Sequence, residues 1–287
     1  MGRTFLIRTC LIRMSAAILM LTGAWVAYTQ NPQQAKQPPA QNLIKVTDDL
    51  YMIDGGSNVV FYVTDEGVIV IDDKFDRDFD SIMAKIRSVT AQPVKYVLNT
   101  HHHGDHTGSN PRFLPAAEII AHVNSRIHHV NLKQPAPPRV TFTKEMSVFL
   151  GGKEVRATYY GRGHTNGDVM IYFPALRILH TGDLMAGNSP VIDYETGGSL
   201  TDYVQTLDGP MGLDFDTVIQ GHGPLVNRQL LIAYRNGVEK FRTQLTGLVR
   251  GGKSKQEVAD FLIKEYNWVP TGIPMQRGLD GFMTELK

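Results

Sequence analysis

The stretch Val94-Lys95-Tyr96-Val97-Leu98-Asn99-Thr100-His101-His102-His103-Gly104-Asp105-His106 carries the reading of the whole chain. Val94 to Leu98 is rich in apolar and aromatic residues and reads as a buried strand. It runs into four of the chain's ten histidines within six residues. On an extended segment His101 and His103 point the same way, because side chains alternate with a period of two. Asp105 and His106 follow at the turn. Three imidazoles and a carboxylate converging on one loop are the donors that borderline-soft divalent metals prefer, zinc above all. His102 alternates away and is expected behind the ligands or facing solvent.

Three more donors stand just beyond other strand-like runs. They are His164 in Gly-Arg-Gly-His-Thr-Asn-Gly-Asp, Asp183 in His-Thr-Gly-Asp, and His222 in Gly-His-Gly. The flanking glycines allow tight loops at a crowded centre. A lone histidine of this kind is ordinarily structural, but seven donors in Gly-flanked loops are not explained that way. The only cysteine, Cys10, lies near the N-terminus. With that segment removed, disulfides and thiolate ligands are excluded, and the chemistry rests on imidazole and carboxylate. His128 and His129 fall on an expected helix and read as surface residues. Asp168 and His180 flank ligand motifs and read as support or simple packing. The glycines at 55–56, 161–163 and 221–223 open no helix with the lysine or spacing of a phosphate loop.

Outward from this centre, strands are expected at Leu43–Ile53, Asn58–Val63, Gly67–Ile71 and Glu118–Val123. A helix fits Phe79–Val89, where Phe79, Ile82, Met83, Ile86 and Val89 share one face. Another fits Ser125–Leu132, before the stiff loop at 133–139. The second half repeats the theme, with strands at Val140–Phe142, Ser147–Leu150, Glu154–Tyr159, Val169–Tyr172, Ile178–His180 and Thr217–Gln220. Helices are expected at Leu200–Leu207 and along the amphipathic run Leu231–Leu248. Ser254 with Glu257 forms a capping-box pattern that opens a final helix through Tyr266. Each half supplies strands then helices, so 43–287 reads as one α/β domain of two sheets covered outside by helices.

Residues 1–29 carry arginines and then an apolar run, 14–28, shorter than the ~20 residues of a membrane span. This is the order of a secretory signal. The mature N-terminus is expected between residues 25 and 36, with an uncleaved anchor as the alternative and the only membrane contact. Residues 30–42 form a Gln/Pro-rich spacer. The chain reads as exported to a bacterial periplasm. Its 287 residues hold 29 basic and 28 acidic side chains, and losing Arg3, Arg8 and Arg13 leaves 26 against 28. A slightly acidic chain has no general footprint for nucleic acid. The expected partner is a small-molecule substrate.

His101-x-His103-x-Asp105-His106, followed by His164, Asp183 and His222 in this order, resembles the metallo-β-lactamase superfamily over residues 43–225. The resemblance implies a four-layer αββα sandwich with two zinc ions at one edge between the sheets. His101, His103 and His164 would hold one zinc, and Asp105, His106 and His222 the second, with Asp183 bridging. It also places an acidic residue at the strand end Ile71-Asp72-Asp73, behind the ligands. Such a zinc pair supplies hydroxide near neutral pH for attack on a carbonyl carbon. Asp105 would orient that nucleophile and shuttle its proton.

The resemblance implies a hydrolase acting on an ester, lactone, thioester or β-lactam. Asp183 stands where the best-known zinc β-lactamases carry cysteine, so β-lactam opening is not expected to be the best activity. A dedicated periplasmic β-lactamase is the alternative, because export fits that role. Glyoxalase II is disfavoured by the 65 residues that follow His222. The nuclease branch is disfavoured by the missing basic surface. An iron-dependent oxidoreductase is the alternative of another class: His103 departs from the di-iron reductases, which carry glutamate there, whereas the persulfide dioxygenases keep the motif.

Overall fold

The computed structural model describes residues 40–287, and Ala40–Lys287 form one compact unit. The expected signal segment and all but the last three residues of the spacer lie outside the described residues. Among the described residues, no helix is long and apolar enough to cross a membrane.

In chain order the first half contains β1 (Leu43–Lys45), β2 (Leu50–Ile53), β3 (Val59–Thr64), β4 (Gly67–Ile71), α1 (Phe79–Val89) and β5 (Val94–Leu98). It continues with α2 (Gly104–Thr107), α3 (Asn110–Phe113), β6 (Glu118–His122), α4 (Val123–Asn131) and β7 (Val140–Phe142). These strands form a seven-stranded sheet in sequential order. β1 to β4 pair antiparallel, whereas β4 to β7 run parallel. The first expected strand is corrected: Leu43–Ile53 is a hairpin, with Leu43 opposite Ile53. Thr47 turns the chain, since its Oγ1 accepts from the Leu50 amide at 3.1 Å.

The second half contributes β8 (Glu145–Leu150), β9 (Lys153–Thr158), β10 (Met170–Phe173), β11 (Ile178–His180), α5 (Leu200–Asp208), β12 (Thr217–Ile219) and β13 (Val226–Asn227). The six strands order as β13-β12-β11-β10-β9-β8. α6 (Arg228–Arg250), α7 (Lys255–Tyr266) and α8 (Ile273–Glu285) complete the chain. The capping box at Ser254 and Glu257 forms as expected. α8 was not anticipated, because Pro274, Gly278 and Gly281 are poor helix formers and mask its apolar face.

Strand alternation sets the layers. In β4, Ile69 and Ile71 join the core between the sheets, while Val68 and Val70 face the outer core that holds Ile82 and Ile86 of α1. From β10, Ile171 and Phe173 face the inner core, and Met170 and Tyr172 pack under the C-terminal helices. The result is the αββα sandwich. β4, β5, β11 and β12 all end at the same edge, where every expected donor loop begins.

Candidate metal centre

Seven donors meet at that edge in two groups. Nε2 of His101 lies 3.0 Å from Nδ1 of His103, and Nε2 of His164 lies 2.9 Å from the same atom. With Asp183, these donor atoms all fall within 4.8 Å of one another. Asp105, His106 and His222 form the second group, also within 4.8 Å. Asp105 Oδ2 is 3.2 Å from His222 Nε2 and 3.5 Å from His106 Nε2. Asp183 stands between them: Oδ2 is 3.6 Å from His164 and 3.4 Å from His222, and Oδ1 is 3.3 Å from His106. Gly221 permits this approach, since a Cβ there would lie 1.9 Å from Asp183 Oδ1.

Four of the five histidines are oriented from behind. At the end of β4, Asp72 adopts a left-handed φ of 56°. Its Oδ2 accepts from Nδ1 of His106 and from the Thr100 hydroxyl, both at 2.7 Å. That hydroxyl in turn accepts from Nδ1 of His101 at 3.1 Å. His164 Nδ1 donates to the Val191 carbonyl at 2.7 Å, and His103 Nε2 donates to Asp193 Oδ2 at 2.8 Å. These partners take the ring protons, so the lone pairs of Nε2 on His101 and His164 and of Nδ1 on His103 aim at one another, while Nε2 of His106 aims at Asp183. Neutral lone pairs at such separations repel unless a cation lies between them. The donor set therefore fits a divalent metal, with the outer partners fixing each tautomer.

The charges divide the groups. Burial drives His101 well below its ordinary value and His164 down to about 4, so both rings are neutral near pH 7. Burial also opposes charge on His222, but the hydrogen bonds it donates to Asp105 and Asp183 outweigh it and lift the ring to about 9. Asp183 is held well below the carboxylate range because His106 and His222 overcome its desolvation.

Several contributors were not visible in the sequence. The loop before β3 braces the second group: the Ser57 hydroxyl donates to the Asp105 carbonyl at 2.5 Å, and Asn58 Nδ2 donates to the Gln220 carbonyl at 2.8 Å. Buried Lys74 donates to the carbonyls of Gly55 and Ser57, and burial lowers its ammonium to about 8. Asp193 and Arg277 reach His103 across 90 and 174 residues of sequence. No local pattern signals such contacts.

The remaining expectations are mixed. His102 is fully buried behind the ligands, and burial lowers its ring to about 2. The surface reading of His129 is corrected: it faces inward, fully buried, while His128 is part-exposed and donates to Asn166 at 2.7 Å. Asp168 supports the His164 loop by accepting from the Thr165 amide at 2.7 Å, and burial pushes its carboxyl to about 8. His180 supports the Asp183 loop through the Gly182 amide at 3.0 Å. A cleft of about 970 Å³ opens over the centre, with Phe75, Leu132 and Ile273 on its walls.

The fold and these donors define a site suited to divalent metal, and comparison with known proteins gives the family. The sequence profile of the metallo-β-lactamase superfamily matches residues 52–222, so the chain belongs to that superfamily. It is 26% identical over 217 residues to 2,4-dinitroanisole O-demethylase subunit alpha of a Nocardioides species, covering 71% of this chain and 62% of that protein. It is 25% identical over 158 residues to metallo-beta-lactamase IND-1 of Chryseobacterium indologenes, covering 53% of this chain and 66% of that one. The chain thus spans just under two thirds of both relatives. Among solved structures, a metallo-beta-lactamase from Pontibacter korlensis superposes with a TM-score of 0.64 at 20% identity, over 70% of this chain and 99% of that one. DIM-1 metallo-beta-lactamase gives 0.63 at 20% identity, over 70% and 98%. These two likenesses concern the fold.

Proposed function

We propose that the chain is an exported dinuclear zinc hydrolase acting on activated acyl bonds: esters, lactones, thioesters and, more slowly, β-lactam amides. The observation that supports this most is Asp183, whose two oxygens face both donor groups. His101, His103 and His164 would hold one zinc, and Asp105, His106 and His222 the other, with Asp183 shared. When bound, such a pair supplies Lewis acidity that acidifies water and polarises an acyl oxygen.

The chain's own residues do the rest. Asp105 is 28% exposed toward the cleft and stays ionised, because His106 and His222 overcome the cost of burying it. As an ionised carboxylate it can orient an incoming water by accepting its hydrogen bond and pass the proton on toward the leaving atom. Phe75 and Ile273, 39% and 58% exposed, offer apolar walls for the acyl or leaving part of a substrate. A carboxylate at position 183 spreads its charge over both donor groups, where a thiolate of equal charge would serve one. That favours substrates with good leaving groups over the poor nitrogen leaving group of a β-lactam.

The decisive test compares kcat/KM for nitrocefin, a carbapenem, an aryl ester and a lactone on one zinc-loaded sample. Ester and lactone turnover should exceed that of both β-lactams. β-Lactam turnover of roughly 10⁴–10⁸ M⁻¹s⁻¹ with negligible ester and lactone activity would instead make it a dedicated lactamase. Elemental analysis should find two zinc per chain; iron as the resident metal would turn the reading toward redox chemistry. N-terminal sequencing of periplasmic protein should place the first residue between 25 and 36, and cytoplasmic protein beginning at Met1 would contradict export.

A further inference from the structure

We infer that the C-terminal helix α8, which lies beyond the family-matched segment, aligns the metal ligands His103 and His164 by gripping residues 191–200, with Arg277 as a positioning residue. The inference rests on the metal centre proposed above. Residues 191–193 hold two of the three histidines of the first group. The Val191 carbonyl accepts from His164 Nδ1 at 2.7 Å, the Asp193 amide donates to the His164 carbonyl at 2.8 Å, and Asp193 Oδ2 accepts from His103 at 2.8 Å. Asp193 is itself buried, and its Oδ1 has no partner among the described residues. Its placement therefore depends on what binds Oδ2 and on the backbone that follows.

Both are supplied by one face of α8. Arg277, Gly281 and Glu285 are spaced four residues apart, which aligns them along a single helical stripe. Arg277 Nη1 lies 3.3 Å from Asp193 Oδ2, the same oxygen that accepts from His103 Nε2, so it holds the carboxylate that orients the ring. Gly281 sits flush on Tyr194, where a Cβ would come within 1.9 Å of ring atom Cδ2. Glu285 accepts from the Tyr194 hydroxyl and the Ser199 hydroxyl, each at 2.5 Å, and from the Leu200 amide at 3.0 Å. The stripe thus binds the segment at its start, middle and end. Among the described residues, no contact of this kind from α8 reaches Asp105, His106 or His222.

The test uses the full chain, with zinc and cobalt affinities measured by chelator competition. R277A should weaken binding at the first group by roughly 10-fold, within the range typical for outer partners of metal-binding histidines. R277K should recover most of that loss. G281A should weaken the same site by a comparable factor, without removing any polar group. Affinity at the second group should change less than about 2-fold, the cobalt absorption of the first group should shift, and saturating zinc should restore kcat and KM to R277A.

R277A is expected to fold because its side chain is 37% exposed, so it decides the matter even if G281A does not fold. Unchanged first-site affinity and cobalt absorption in R277A would overturn the inference while leaving the metal centre intact. A raised KM for anionic substrates at full occupancy, with unchanged affinity, would overturn it in favour of a substrate anchor. A wild-type chain that takes up no divalent ion would overturn the metal centre and this inference together.

Discussion

The two donor groups sit a few ångströms apart yet are built on opposite physical terms. In the first, His101, His103, His164 and Asp183 are all buried, and desolvation keeps the His101 and His164 rings neutral. In the second, only His106 is fully buried; His222 and Asp105 reach the cleft and hold one another through charge. The first group is braced by residues 191–200 and the C-terminal helix, the second by Ser57, Asn58 and Lys74 near the N-terminal end of the domain. Burial without a carboxylate partner makes a ligand that is neutral in advance. Carboxylate partners make one that must first lose a proton.

Asp183 belongs to both groups, so Asp183→Ala should cause the largest loss. Both metals should leave, and kcat/KM should fall by roughly 10³-fold or more, about 4 kcal/mol of transition-state stabilisation. Steady-state kinetics beside elemental analysis reads this directly; a D183A protein that keeps two ions would show that the groups are independent. His222→Ala should act on one side only. One ion should remain and activity should drop by about 10²-fold, whereas His101→Ala should empty the first group.

Acidity should separate the groups further. His222 binds metal only as the neutral ring, and its value near 9 lies above the working range. Below that value a proton must leave as the ion enters. His106, whose burial is outweighed by Asp183, Asp105 and Asp72 so that the ring is held well above its ordinary value, releases another. Affinity at the second group should therefore rise by about tenfold or more per pH unit between about pH 6 and 8. His164, already neutral above about 4, adds no such slope to the first group. Chelator titrations at several pH values would detect the contrast, and equal slopes would erase it. Lys74→Met should have the smallest effect on metal uptake. It leaves the Gly55 and Ser57 carbonyls without their buried donor and should cost about 1–3 kcal/mol of stability, seen in thermal unfolding.

What could be read in advance followed from locality. His101 to His106 lie on one loop, and the Gly-flanked loops of His164, Asp183 and His222 each follow a strand-like run, so spacing and composition carried the donor set. Apolar runs bounded by turns, such as Gly67–Ile71, similarly carried the strands of the two-sheet core. Asp193 and Arg277 could not be found this way, because they meet His103 only after the chain has folded back over 90 and 174 residues. α8 was hidden because Gly281 serves a close approach to Tyr194 at the expense of helix propensity. His129 was misplaced because a short helix lying against the sheet edge buries one polar residue that periodicity assigns to solvent.

The inward-facing lone pairs have a consequence for the life of the protein in its compartment. Because Thr100, Val191 and Asp193 have already claimed the ring protons, the vacant first group would carry an electrostatic repulsion that a cation relieves. An ion that binds only the folded chain adds RT ln(1 + [L]/Kd) to its stability, about 2.7 kcal/mol when free ion stands at 100 times Kd. Scarcity of the ion would then raise the unfolded fraction by up to roughly 10²-fold and expose the chain to resident proteases. Abundance of this protein should accordingly follow the supply of its metal, without any regulator acting on its gene.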